Sequence, residues 1–137
     1  MSAAARKVVL DASAALAWVL HERGAATVDK LLPVGVVPAS VMVETLYRAQ
    51  ERGHRQSCQE LHDDLLAMGL TVEPVTDEDT VRAAELVAVS RREAREGSLS
   101  LGDGLCIAVA ERLGLTMTGN DKYWEDVAST VTFMPFR

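Results

Sequence analysis

Short runs of β-branched and apolar residues alternate along the chain with longer segments in which apolar residues recur at helical spacing. The five short runs read KVVLDA, GVVPAS, LTVEPV, LTMTGN and TVTFM, in that order. The segments between them predict helices over Ala12–Glu22, Ala25–Leu32, Val41–Arg52, Gln56–Met68, Asp77–Arg95 and Leu101–Leu113. Strands that alternate with helices in this way indicate an α/β fold with a mostly parallel sheet of about five strands flanked by helices.

The residues at the ends of these helices agree with their boundaries. Glycines that can end a helix in the left-handed conformation follow three of the segments: Gly53, Gly69 and Gly114. Ser40 stands where its hydroxyl can cap the third helix. The last helix opens with Ser100 and Asp103 at the spacing of a capping box, and no charged residue occurs from Gly104 to Ala110. We therefore expect this last helix to be buried on most sides.

The composition is typical of a folded domain. The chain has 137 residues, of which 48% are hydrophobic and 25% charged, so we expect residues 1–137 to form one domain. The longest apolar run, Ala14–Leu20, is shorter than the roughly 20 residues that span a bilayer, and the first residues lack the apolar stretch of a signal peptide. A cytoplasmic protein with no membrane partner is the expectation. Cys58, Cys106 and the three histidines lack the spacing of a zinc site.

The distribution of charge is more informative than its sum. The formal net charge of −6 argues against a protein that coats nucleic acid nonspecifically. Two basic clusters nevertheless occur: Arg48, Arg52, His54 and Arg55 in the first, and Arg91, Arg92 and Arg95 in the second. Each cluster is either a solvated helix face or a patch that binds phosphates. Arg91, Arg92 and Arg95 are the candidates for binding a phosphate-containing substrate.

Four carboxylates are expected at one edge of the predicted sheet. Asp11 ends the first strand run, Glu44 lies in the first turns of the helix after the second strand, and Asp121 follows the fourth strand. Asp103 opens a helix that leads directly into the fourth strand, so this helix must run antiparallel to it and begin at the carboxyl edge. Ligand sites of open α/β sheets form at that edge.

Helix capping alone could account for any single aspartate of this group, but it does not explain why all four acids converge. Glu44 lies among apolar residues, and no basic residue is obviously placed to neutralise it. Crowded carboxylates repel one another unless a cation joins them. Oxygen ligands suit Mg²⁺ or Mn²⁺, which can activate water for attack on a phosphodiester. We therefore predict a metal site at this edge, held by Asp11 and Asp103.

The sequence resembles the PIN-domain ribonucleases, and among them the VapC-type toxins of bacterial toxin–antitoxin pairs. Four stretches carry the resemblance: VVLDASAAL, ASVMVETL, LSLGDGLCIAVAERLG and LTMTGNDKYW. Asp11, Glu44, Asp103 and Asp121 match the family's catalytic acids, and Ser13 matches the hydroxyl residue that helps to order the first of them. The family often has Ser or Thr two residues before the last acid, where this chain has Gly119, with Thr118 one step earlier.

The resemblance implies a PIN-like three-layer α/β fold and a Mg²⁺-dependent endoribonuclease, with Mn²⁺ as the alternative cofactor. It also implies a homodimer whose cleavage of RNA is blocked by a cognate antitoxin protein. From the residues alone, the prediction reaches only metal-assisted phosphoryl chemistry at the edge of an α/β sheet.

Other functions are open at this point. A PIN-like domain could act as a binding or scaffold module without catalysis. A phosphatase of the haloacid-dehalogenase type would have a second acid where this chain has Ser13, and a receiver domain would have adjacent acids early in the chain. No GxGxxG motif follows any strand run, which argues against a dinucleotide-binding protein.

Overall fold

The computed structural model describes residues 6–93, 98–119 and 130–137. Its strands are β1 (Val8–Val9), β2 (Gly35–Pro38), β3 (Thr71–Glu73), β4 (Thr116–Thr118) and β5 (Phe133–Met134). Its helices are α1 (Ala12–Val19), α2 (Ala25–Leu31), α3 (Ala39–Glu51), α4 (Cys58–Ala67), α5 (Asp77–Glu93) and α6 (Leu101–Leu113), with one turn of 3₁₀ helix over Leu32–Val34. All five predicted strands are present, and the predicted α/β fold is confirmed. No described helix combines the length and the apolar character that a membrane span requires.

The five strands form one parallel sheet in the order β3-β2-β1-β4-β5. β1 lies at its centre, where Val8 pairs with Gly35 of β2 on one side and with Thr116 of β4 on the other. Because every strand points the same way, the carboxyl ends of all five meet at one edge. The connection from α6 to β4 is only Gly114 and Leu115, so the first turn of α6 lies at that same edge, as predicted.

The core lies on both sides of the central strand. Val9 and Leu10 are completely buried, and so is the uncharged face of α6 that includes Ile107 and Val109. Gly104 allows α6 to approach α5 closely, because a Cβ at Gly104 would lie 2.7 Å from Val87 Cγ2 and 3.3 Å from the Ala83 carbonyl oxygen. The lack of charge in this part of the sequence therefore corresponds to a helix packed inside the molecule.

The helix ends agree with the sequence in most places. Gly53 and Gly69 follow the last residues of α3 and α4 at φ +80° and +103°, and Gly114 caps α6 at φ +65°. The prediction that Ser40 caps the third helix is wrong. This helix begins one residue earlier, at Ala39, because Pro38 already provides the extended residue before the first turn. The Ser40 hydroxyl is buried, and it has no hydrogen-bond partner among the described residues.

Arg112, in the last turn of α6, joins three elements through its hydrogen bonds. Its Nε donates to both carboxylate oxygens of Asp79 at 3.0 and 3.2 Å, and its two Nη atoms donate to Glu73 Oε1 and to the Pro74 carbonyl oxygen. Asp79 is 1% exposed and also accepts the backbone N–H of Thr76. Arginine and aspartate thereby connect β3, α5 and α6.

Candidate active site

Asp11 lies just past β1 and is the N-cap residue of α1. Its Oδ1 accepts the Ala14 N–H at 3.2 Å and the Thr118 hydroxyl at 2.8 Å, and its Oδ2 accepts the Ser13 hydroxyl at 2.5 Å. The Asp11 N–H donates in turn to Thr118 Oγ1 at 3.0 Å. The carboxylate is therefore fixed from two parts of the chain, the turn into α1 and the end of the neighbouring strand β4.

Burial raises the pKa of the Asp11 carboxyl above its ordinary value, since the side chain is 4% exposed. The hydrogen bonds from Ser13, Thr118 and the Ala14 N–H oppose this shift, and the negative charge of Asp103 adds to it. Ionisation of Asp11 therefore lowers the free energy of unfolding, and a nearby cation would offset this loss.

Asp103 lies in the first turn of α6, where the predicted capping box is present. The Ser100 hydroxyl accepts the Asp103 N–H at 3.1 Å, and the Asp103 carboxylate accepts the Ser100 N–H at 3.5 Å. The side chain is half-buried and lines the same cavity as Asp11. Capping and a place in the cavity are therefore combined in one residue.

Glu44 reaches this cavity from α3, and its environment corrects an expectation from the sequence. Arg48, one helical turn further on, forms an ion pair with Glu44 in which Nη2 and Oε2 are 3.1 Å apart. The expectation that no basic residue neutralises Glu44 is therefore wrong. A Cβ at Gly102 would lie 3.1 Å from Glu44 Oε1, so Glu44 lies against the first turn of α6, next to Asp103.

The buried thiol of Cys106 lies near the charges of the three acids. Burial raises its pKa, and the negative charges of Asp11, Asp103 and Glu44 raise it further. Cys106 lies one turn beyond Asp103 in α6. Asp11, Asp103 and Glu44 are therefore all near Cys106.

The three acids line a cavity of about 480 Å³ that also contains three arginines. Its lining consists of Asp11, Ala12, Ser13, Leu16, Glu22, Glu44, Arg48, Arg52, Ser100, Asp103 and Arg137. Arg52 and Glu22, both exposed, form an ion pair of 3.0 Å in this lining. The cavity is therefore acidic at its base, around Asp11 and Asp103, and has both signs of charge at its rim.

The remaining candidates differ in where they fall. Asp121 and Arg95 lie outside the described residues. Arg91 and Arg92 are exposed near the end of α5 and do not line the acidic cavity; Arg91 borders an apolar groove between α5 and α6. Their contact with substrate phosphates stays a prediction. The arginines that do line the cavity include Arg48 and Arg52 of the first basic cluster.

The donors of the cavity fit a hard divalent cation in kind. No three His, Cys, Asp or Glu side chains in the described parts of the chain are grouped closely enough to hold a metal ion, and Glu44 is turned toward Arg48. Mg²⁺, however, is usually held by one or two carboxylates and keeps several of its waters. Asp11 and Asp103 provide such a pair. Since Oδ1 of Asp11 already accepts two hydrogen bonds and Oδ2 accepts one, Oδ2 is the oxygen better able to bind a cation.

Two residues of the cavity region were not predicted as functional. Thr118 is completely buried and holds Asp11 from β4, a contact between residues 107 positions apart for which the sequence contains no local signal. Arg137 is the second of these residues. It lines the cavity because the tertiary fold brings the end of the chain next to it. Arg48 could have been recognised, because an arginine four residues after a glutamate is the spacing of a helical ion pair.

Three comparisons place this geometry among known proteins. The family model described as PIN domain matches residues 8–129, and no curated protein sequence matches the chain. DNA-bound VapBC from Salmonella typhimurium has a similar structure, with a TM-score of 0.73 at 12% identity over 97% of this chain and all of that chain. VapBC2 from Rickettsia felis, bound to a DNA fragment from its promoter, gives 0.72 at 15% identity over 93% and 97%. Mycobacterium tuberculosis VapC20, a sarcin-ricin loop cleaving toxin, gives 0.67 at 20% identity over 92% and 99%. At these identities the likeness concerns the fold.

Proposed function

The chain belongs to the PIN domain family, and from this premise we propose that it is a Mg²⁺-dependent endoribonuclease. One observation carries the proposal. The carboxylates of Asp11 and Asp103, which come from distant parts of the chain, line one cavity, and the charge of Asp103 raises the pKa of Asp11. Two acids that repel each other at the carboxyl edge of a parallel sheet are the arrangement that a divalent cation stabilises.

Asp11 and Asp103 would hold the cation, with Asp121 as a third acid predicted from the sequence. When bound, Mg²⁺ or Mn²⁺ supplies activation of water for in-line attack on the phosphodiester and stabilisation of the leaving oxygen. The Ser13 and Thr118 hydroxyls orient the Asp11 carboxylate. Glu44 adds negative charge at the base of the cavity and, through its ion pair, fixes Arg48 beside it.

We further propose that the protein is the toxin of a type II toxin–antitoxin pair, acts in the cytoplasm and forms a homodimer. The similar folds of the VapBC structures and of VapC20 support this assignment. An antitoxin segment would insert an arginine into the cavity, because a guanidinium can bind crowded carboxylates in place of a cation. The same cavity would thus accept either the metal and RNA or the antitoxin.

Cleavage of a mixed-sequence single-stranded RNA by the purified protein tests the nuclease proposal. We expect cleavage with Mg²⁺ or Mn²⁺ and none with excess chelator. Asp11→Asn and Asp103→Asn should each reduce the rate by about 10²-fold or more, since each removes a charge that positions the metal. The measurement is the initial rate of fragment formation on a denaturing gel.

Asp77→Asn is the matched control, because Asp77 is also an acid in the first turn of a helix but is exposed on α5. It should cleave like the parent protein. Undiminished cleavage in chelator would contradict the metal-dependent mechanism. Binding of RNA without cleavage under any divalent cation would instead favour a scaffold module.

A further inference from the structure

Arg137 is fixed close to the acidic cavity by the residues around it. Phe136 is 2% exposed and packs in the core, and the Arg137 guanidinium lies over the Phe136 ring, with Cζ 4.9 Å from the ring centroid. Gly24, at φ +95°, allows this segment to approach the turn between α1 and α2. A Cβ at Gly24 would lie 2.7 Å from the Phe136 carbonyl oxygen and 2.9 Å from Arg137 Cβ.

Arg137 also differs in charge pairing from the other two arginines of the cavity. Arg48 is paired with Glu44 and Arg52 with Glu22. Within residues 6–93, 98–119 and 130–137, no carboxylate lies within 4.0 Å of the Arg137 guanidinium. Its side chain is exposed, so its N–H groups can meet a molecule that enters the cavity from solvent.

These contacts suit the recognition of a phosphate. A guanidinium can donate two parallel N–H bonds to phosphate oxygens. Stacking on an aromatic ring restricts the arginine side chain, so that less conformational freedom is lost when those bonds form. The cavity base, with Asp11 and Asp103, repels a polyanion. Arg137, which has no carboxylate partner among the described residues, is a cation that can offset this repulsion.

We infer that Arg137 binds a phosphate group of the RNA chain at the mouth of the acidic cavity and so positions the substrate. The inference rests on the proposed nuclease function, which it deepens by naming a substrate contact outside the acidic group. Arg48 and Arg52 contribute less, because each would first have to leave its carboxylate partner.

Arg137→Gln, Arg137→Lys and the control Arg23→Gln test the inference. Arg23 is exposed next to Gly24 but does not line the cavity. The probe is a fluorescent mixed-sequence single-stranded RNA, bound in EDTA at several salt concentrations and cleaved in Mg²⁺. For Arg137→Gln we expect binding weaker by about tenfold and a salt slope of log K smaller by about 0.7, the value for one phosphate contact with a single strand.

In the cleavage assay, Arg137→Gln should raise KM with kcat within about twofold of the parent, as expected for a contact made equally before and during the reaction. Arg137→Lys should recover most of the binding and salt slope, and Arg23→Gln should behave like the parent. Melting temperatures of all variants should agree within a few degrees, since the Arg137 side chain is exposed and loses only its contact with the Phe136 ring.

The results separate this inference from the proposed function. A parent that cleaves RNA, with an Arg137→Gln variant of equal affinity and salt slope, would overturn the phosphate contact and leave the nuclease proposal intact. A parent that binds RNA through Arg137 but never cleaves it would overturn the nuclease proposal and retain the contact. A lower melting temperature with an unchanged salt slope would show a structural role for Arg137 and contradict the inference.

Discussion

Asp103 takes part in its capping box only through a weak bond. Its carboxylate accepts the Ser100 N–H at 3.5 Å, beyond the range of a strong N–H···O bond, whereas the Ser100 hydroxyl caps α6 at the ordinary distance of 3.1 Å. Ser100 therefore provides most of the cap. The role proposed for the Asp103 charge lies in the cavity, next to Asp11.

The first prediction in solution follows from the repulsion between Asp103 and Asp11. Because the pKa of Asp11 is raised in the folded state, ionisation of Asp11 lowers the unfolding free energy as pH rises from its ordinary pKa through its folded value. Asp103→Asn removes one cause of the shift, so the pKa of Asp11 should fall and the metal-free variant should be at least as stable as the parent at pH 7. NMR titration of the Asp11 carboxyl carbon and thermal melting measure these effects.

The stabilisation by Mg²⁺ of the parent and of Asp103→Asn shows whether Asp103 only caps α6 or also binds the cation. At a tenfold excess over the dissociation constant, Mg²⁺ should stabilise the parent by about 1.4 kcal/mol and Asp103→Asn by much less. Asp77→Asn should respond to Mg²⁺ as the parent does. Equal magnesium shifts in the parent and Asp103→Asn, with an unchanged titration of Asp11, would leave Asp103 with its capping role alone.

At the scale of single residues, the sequence predicted contacts that are local in the chain. Ser13 lies two positions after Asp11, and Ser100 three before Asp103, so their hydrogen bonds could be anticipated from spacing. The Thr118 contact with Asp11 depends on the pairing of β1 with β4, and Arg137 on the approach of its segment to Gly24. Neither contact has a spacing that a single sequence reveals.

At the scale of elements, the prediction was most accurate where the hydrophobic pattern is bounded by strong signals. The bounds of α6 were predicted without error, because a capping box begins it and Gly114 ends it. The start of α3 was predicted two residues late. Ser40 is a favourable capping residue, but Pro38 precedes it and the chain enters the helix directly from β2. Tertiary context, here the end of a buried strand, outweighed a local preference.

The close packing of α5 against α6 gives the prediction at this scale. Alanine is normally favoured over glycine inside a helix by about 1 kcal/mol. Gly104→Ala should instead lower the unfolding free energy by about 1–3 kcal/mol, because its Cβ would meet Val87 Cγ2 at 2.7 Å and the Ala83 carbonyl oxygen at 3.3 Å. Chemical denaturation measures the difference.

Gly102→Ala is the matched change in the same helix. Its Cβ would meet Glu44 Oε1 at 3.1 Å, and Glu44 is a flexible side chain that can move. The stability of this variant should stay within about 0.5 kcal/mol of the parent or exceed it. If Gly104→Ala proved as stable as Gly102→Ala, α5 and α6 would not be in the close contact described here.

At the scale of the whole molecule, the two ends of α6 differ in how charged side chains interact. At the carboxyl edge, Asp11 and Asp103 repel each other. In the last turn of α6, Arg112 neutralises Asp79 and Glu73 and thereby joins β3, α5 and α6. Opposite charges thus join three elements at the end of α6, whereas like charges face each other at its start.

The Arg112 cluster predicts how stability depends on pH. Burial favours the neutral form of Asp79, but hydrogen bonds from Arg112 and Thr76 outweigh it and lower the pKa below the ordinary value. A lowered folded pKa stabilises the protein above the ordinary pKa of about 3.9, and this stabilisation is lost as pH falls below it. Arg112→Met should cost about 2–3 kcal/mol at pH 7 and less at pH 3, because part of this stabilisation is lost once the pH is below the ordinary pKa.

Urea denaturation of the parent and Arg112→Met at both pH values tests this dependence. Arg23→Met, which removes an exposed arginine of the same charge, controls for the change in net charge and should differ little from the parent at either pH. A cost for Arg112→Met that is the same at pH 3 and pH 7 would mean that Asp79 is not the group through which Arg112 stabilises the fold.

The central position of β1 also determines when, during synthesis of the chain, Asp11 can be held by its partner Thr118. Asp11 receives the Thr118 hydroxyl only after β4 has paired with β1, and the two residues are 107 positions apart. At a synthesis rate of 5–20 residues per second, roughly 5–20 s pass between the addition of Asp11 and that of Thr118. During this interval the nascent chain has neither Thr118 to hold Asp11 nor, until late, Asp103 beside it. If the chain is the nuclease proposed above, its active site cannot be complete before synthesis has passed Thr118.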